Sequence, residues 1–169
     1  MILAETERLI LQQFTLSDAP FILKLLNSPS WIKYIGDRKV KTIEDAEKYL
    51  LNGPIKNYTI IRFGLCLVKT KKENASIGMC GLIKRDTLKD IDIGFAFLPE
   101  YEGKGYGFES AATVMSNAKN ILKLDRVVGI TVEYNHHSIK LLEKLGMTLE
   151  GNIYMEGDDE ELLLFGINL

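Results

Sequence analysis

The chain has 169 residues, 46% of them hydrophobic and 26% charged, with a net charge of −2. That length suits a single domain over residues 1–169, and the composition is ordinary for a globular protein. A near-neutral balance gives no electrostatic reason to expect nucleic acid or an anionic membrane as partner, and no apolar run approaches the ~20 residues of a bilayer span.

No basic-then-apolar leader opens the chain, so a cytoplasmic protein is expected. Arg8 to Phe14 is predicted as the first strand. Thr15, Ser17 and Asp18 then open a helix with Phe21, Ile22, Leu25 and Leu26 on one face, broken at Ser28-Pro29-Ser30. Thr42 to Asp45 has the form of a capping box, with Asp in place of the usual Glu, and Gly53 is read as the end of that second helix. Tyr58–Val68, Ser76–Lys84 and Asp90–Leu98 alternate with polar turns at Lys69–Ala75 and Arg85–Lys89, the pattern of an antiparallel meander. Cys66 and Cys80 lie in these apolar runs without metal-ligand spacing and read as reduced core thiols.

A helix follows, with Phe108, Ala111, Ala112, Met115, Ala118 and Leu122 at helical spacing. Arg126–Tyr134 reads as a strand, His136–Leu145 as a helix stopped by Gly146, and Glu160–Leu169 as the closing strand. Such an order, with one strand–loop–helix–strand crossover near the centre, predicts an α/β (α+β) fold with a mixed sheet and helices on both faces.

The segment Pro99–Ser110 is the most informative. Glycines at 103, 105 and 107 alternate where an apolar strand gives way to a helix. Glycines let the main chain approach a ligand, and the first amides of a helix are unpaired and suit an anion such as phosphate. Lys104 adds a positive charge among them. Neither a P-loop nor a dinucleotide fingerprint fits: Phe108-Glu109 follows the last glycine where a P-loop needs Lys-Ser/Thr, and the spacing is not Gly-x-Gly-x-x-Gly.

Gly103-Lys-Gly-Tyr-Gly107, followed by Phe108-Glu-Ser-Ala, resembles the acyl-CoA pyrophosphate loop of the GNAT N-acetyltransferase superfamily. Thr6-Glu-Arg-Leu-Ile-Leu11 is similar to the opening strand of its ribosomal-protein N-terminal acetyltransferase branch, and Asp92–Pro99 to its central strand. Asn135-His-His-Ser138, with Leu142–Met147 and Leu149–Gly151, is similar to its second cofactor segment. The resemblance implies the acyl-CoA N-acyltransferase fold, a mostly antiparallel sheet whose two central parallel strands splay apart around acetyl-CoA. It also implies transfer of an acetyl group to a primary amine, at a protein N-terminus or on a small molecule, by direct attack in a ternary complex without a metal. A homodimer is expected by analogy alone.

Carried onto this chain, the resemblance assigns the cofactor to the backbone of Phe95, Ala96, Phe97 and Leu98, to Gly103, Lys104, Gly105, Tyr106, Gly107 and Phe108, and to Asn135 and Ser138. Asp92 becomes the candidate base or amine-orienting group, with Glu133 a poorer one, and Ser138 the proton donor to departing CoA. Strand periodicity puts Asp92, Gly94 and Ala96 on one face, where small residues leave room for a ligand. Trp31 and Tyr34 are expected near the acceptor groove, Tyr101 as packing beside the loop, and His136 and His137 as surface residues at a helix start. A base acting through water suffices for an α-amino group of pKa about 7.8, which costs about 1 kcal/mol to deprotonate at neutral pH; a lysine amine costs roughly 4.6.

Two departures stand out. Glu102 occupies a position usually held by Gln or Arg, and Leu142 a position often held by a tyrosine acid. They motivate the alternative of a CoA-binding module weakened in catalysis. A nucleotide-binding protein is a thinner alternative, since no magnesium-binding Ser/Thr follows the glycines.

Overall fold

Among residues 1–155 and 159–169, which the computed structural model describes, eight strands form one sheet. They are β1 (Ile2–Glu5), β2 (Leu9–Gln12), β3 (Leu65–Thr70), β4 (Ser76–Ile83), β5 (Asp92–Phe97), β6 (Arg126–Thr131), β7 (Thr148–Tyr154) and β8 (Glu161–Asn168). Their lateral order is β1-β2-β3-β4-β5-β6-β8-β7. Every neighbouring pair is antiparallel except β5 and β6, which are parallel.

Alternation along the strands sends residues to opposite faces and helices cover both. Cys66, Val68, Cys80, Ile93 and Phe97 pack with Ala111, Val114, Met115 and Ala118 of helix α5 (Tyr106–Asn120) and with Leu142 of α6 (His136–Lys144). Leu67, Met79 and Leu98 pack on the other face, against α1 (Ala19–Leu26), α2 (Pro29–Tyr34) and α3 (Ile43–Leu50). Thr42 and Asp45 do form the capping box: Asp45 N–H donates to Thr42 Oγ1 and Thr42 N–H to the Asp45 carboxylate, both at 3.1 Å. Asp reaches here as well as Glu would. No helix among the described residues is long and apolar enough to cross a membrane.

Three elements differ from the sequence reading: α4 (Lys56–Ile60), β1 and β7. Tyr58–Ile60 belongs to α4, a short helix, and the strand starts only at Leu65. The Tyr58 hydroxyl ties this helix to the sheet, donating to Leu65 O and accepting from Phe14 N–H. Gly53 does end the helical run from α3: its non-helical backbone (φ −108°, ψ −105°) is the kink before Pro54 that separates that run from α4. The break at Ser28-Pro29-Ser30 is present: α1 ends at Leu26 and Pro29 starts a separate helix, α2, since proline's fixed φ suits a first helical turn. β1 and β7 were not expected as strands; they are the sheet edges, and β7 is almost wholly exposed, so neither carries a one-sided apolar pattern.

Candidate active site

β5 and β6 part almost at once. They share one register pair, Asp92 opposite Val128, beside a bond from Val128 N–H to Ile91 O at 2.9 Å. Main-chain groups alternate in direction along a strand. Leu98 N–H donates to Ile77 O on β4, whereas Ile91 faces β6. The amides and carbonyls of Phe95 and Phe97 therefore face the gap that β6 vacates, and those of Ala96 and Leu98 face β4.

A cavity of about 1260 Å³ runs through this gap, larger than the ~300–1,000 Å³ that holds a drug-sized ligand. On one side of the sheet Trp31, Tyr34, Arg38 and Tyr49 line it; on the other Gly103, Gly105, Gly107, Phe108, Ser138 and Leu141 do. Residues 92–97 of β5, with Ile130 and Thr131 of β6 and Val132 just after it, form the waist.

The glycine loop reaches the cavity for three separate reasons. Gly103 (φ +70°) and Gly105 (φ +82°) hold left-handed backbone conformations that favour glycine. Gly107 is small for packing: a Cβ there would lie 2.8 Å from Leu141 Cδ1 of α6. Gly105 caps α5, so the amides of its first turn lack helical partners and face the side where an anion is favoured. The side chains of Lys104 and Tyr106 are not on the cavity wall. Lys104 Nζ lies 5.4 Å from the Tyr101 ring centroid, and Tyr106 lies against Tyr101 and Arg8. Leu98 is also off the wall, buried against the helices of the opposite face. Glu102 is exposed at the rim.

Asp92 is 1% exposed, and its Oδ2 accepts from Arg85 Nε at 2.7 Å while its Oδ1 has no hydrogen-bond partner. Burial pushes its carboxyl above the usual carboxylate range, and Arg85 offsets only part of that. A carboxylate so placed is a stronger base than an exposed one and needs a donor from the cavity. Glu133, in contrast, is exposed and off the cavity wall.

Asn135 caps α6 through a bond from Ser138 N–H to its Oδ1 at 3.2 Å, and both residues line the cavity. Both histidines at the start of α6 are exposed. Leu142 is buried where the strands part: a Cβ on Gly129 of β6 would lie 2.6 Å from its Cδ2 and 3.6 Å from Ile93 Cγ2. It offers no proton. Burial pushes the thiols of Cys66 and Cys80 up to about 12, as suits reduced core thiols.

Arg85, Arg38 and Tyr49 are cavity residues that sequence reasoning missed. Arg85 was assigned to a polar turn. The one available signal was the β4–β5 hairpin, whose register sets Ile83 opposite Asp92 and so brings Arg85 alongside.

An acetyltransferase (GNAT) domain family profile matches residues 8–148. The chain is 29% identical over 149 residues to the uncharacterized N-acetyltransferase YoaA of Bacillus subtilis, covering 87% of this chain and 83% of that one. RimL, a ribosomal L7/L12 α-N-protein acetyltransferase solved in complex with coenzyme A, has a similar fold. Its TM-score is 0.85 at 18% identity, covering 100% of this chain and 98% of that one. A GNAT-family acetyltransferase from Bacillus anthracis gives a TM-score of 0.81 at 23% identity, covering 99% and 98%.

Proposed function

The chain belongs to the acetyltransferase (GNAT) family, and from that premise we propose that it moves an acetyl group from acetyl-CoA to a primary amine by direct attack in a ternary complex. One observation carries the reading: a single cavity passes through the parted strands and joins the glycine loop to Asp92. An unpaired cradle of helix-start amides fits a diphosphate, and the outward-facing groups of Phe95 and Phe97 fit the amides of a pantetheine arm. The bound thioester supplies the acetyl group; positioning and proton transfer fall to the protein.

In this reading Gly103, Gly105, Gly107 and Phe108 hold the diphosphate, with Lys104 and Tyr106 contributing main chain. Asn135 holds the pantetheine arm through its amide NH₂. Asp92 takes the proton of the attacking amine through a water that also satisfies its unpaired Oδ1. The amine forms the new C–N bond, giving a tetrahedral oxyanion that the Phe97 N–H stabilises; as that collapses the C–S bond breaks, and Ser138 relays to the departing thiolate a proton that it regains through water from the one taken off the amine. Trp31 and Tyr34 line the acceptor side.

The test is thiol release from acetyl-CoA in the presence of an amine panel containing a short peptide with a free N-terminus, free amino acids and a polyamine, with products identified by mass. Acetylated product is expected with at least one of them. Coenzyme A binding without release to any amine would replace the enzyme with the binding module that Leu142 and Glu102 suggest.

A further inference from the structure

Arg8 stands just ahead of β2, about a hundred positions from the glycine loop, yet it touches that loop at three places. Its Nη1 donates to Lys104 O at 3.0 Å, its Nε to Glu109 Oε2 at 2.6 Å, and its guanidinium carbon lies 4.6 Å from the Tyr106 ring centroid. Its own N–H donates to Glu109 Oε1 at 3.0 Å, an oxygen that also accepts from the Thr6 hydroxyl. Arg8 is absent from the cavity wall, whereas Gly105 lies on it. The loop is thus held between Arg8 behind and the cavity in front.

We infer that Arg8 is a positioning residue for this loop, aiming its amides forward and cancelling the Glu109 carboxylate so that the start of α5 can accept a diphosphate. The inference rests on reading the loop as the acetyl-CoA cradle. Its first half follows from peptide geometry. In a planar trans peptide the C=O and the next N–H point in opposite directions. Drawing Lys104 O back to Arg8 therefore turns the Gly105 N–H toward the cavity. The positive φ of Gly103 and Gly105 makes that turn available, and Arg8 fixes it.

The second half concerns charge. Glu109 lies in the first turn of α5, where a carboxylate favours the helix dipole but opposes a second anion at the same end. Partial burial would raise its carboxyl, and the bonds from Thr6 and Arg8 more than reverse that, so it is ionised at neutral pH. With both oxygens engaged and Arg8 paired to it, its charge is masked from the cavity. Without the Arg8 guanidinium its Oε2 would lose its partner and its charge would stand uncompensated about one turn from the bound phosphates, with Oε1 still held by Thr6 and the main chain.

Titration calorimetry with coenzyme A, run beside thermal unfolding of each variant, tests this. Arg8→Gln should weaken coenzyme A binding about ten-fold or more, the scale of a lost charge-assisted bond. Adding Glu109→Gln to Arg8→Gln should restore part of the affinity by removing the uncompensated carboxylate, although it removes yet another clamp contact. Arg8→Lys keeps the charge and loses the fork to Lys104 O, so it should weaken binding by more than about two-fold but less than Arg8→Gln does; it is also the variant to use if Arg8→Gln does not fold.

The inference is overturned if Arg8→Gln, or Arg8→Lys in its place, binds within about two-fold of wild type, or if the double variant binds no more tightly than Arg8→Gln. A purely structural role would lower thermal stability without any such recovery. Failure of the wild-type protein to bind coenzyme A is a different result, which removes the cradle itself.

Discussion

The two sides of the cavity are built by opposite means. On the glycine-loop side the groups proposed to bind are main-chain amides from one continuous segment, 103–108, held by Arg8 and Glu109. On the other side they are side chains from scattered segments: Trp31 and Tyr34 of α2, Tyr49 of α3, Arg38 between those helices, and Arg85 and Asp92 of the β4–β5 hairpin. A backbone site tolerates change in side chains but not in glycine; a side-chain site should be the reverse. Under the proposed function, one side can therefore stay fixed while the other is retuned for a different acceptor.

The largest expected effect lies on the backbone side. Gly105→Val puts a β-branched residue at φ +82° with its Cβ 3.2 Å from Arg8 Nη2, a left-handed conformation costing about 1–2 kcal/mol even for an unbranched residue. Coenzyme A binding should disappear in calorimetry while the fold melts cooperatively; retained affinity would break the contrast. Next comes the waist. Asp92→Asn should lower kcat by about 10²–10⁴ and leave the KM for acetyl-CoA nearly unchanged, since the carboxylate lies apart from the loop. A parallel rise in that KM would mean the two sides are not separable.

The smallest and most diagnostic effect is in pH dependence. Burial holds the Asp92 carboxyl high and Arg85 pulls it partly back. The acid limb of kcat/KM should therefore fall at a pH above the ordinary carboxylate range. Arg85→Gln removes the charge that lowers the pKa, so the limb should move to higher pH. An unmoved limb, or one moving down, would take Asp92 out of the titration.

The same contrast explains what could be read in advance. Gly103–Gly107 and Asp92–Leu98 were legible because a backbone site and a half-buried strand each leave a local pattern of glycine spacing or period-two alternation. The fork itself was not written in either strand; it was an expectation from resemblance, and it is visible in the single β5–β6 register pair. Arg38, Arg85 and the Arg8–Glu109 clamp leave no local pattern, because their partners are distant in sequence or lie on loops. Tyr58–Ile60 misleads for the opposite reason: a β-branched apolar run looks like a strand, but here it closes a short helix whose Tyr58 hydroxyl bonds to Leu65 O and Phe14 N–H, residues the local pattern does not register.

Cys66 and Cys80 face one another across β3 and β4, both sealed inside the core. Their depressed acidity means that a sulfhydryl dye should find nothing on the intact protein, so colour developing during turnover would report coenzyme alone. Denaturing the sample should then release two further equivalents per chain. One reagent thus records both catalysis and the integrity of the molecule performing it.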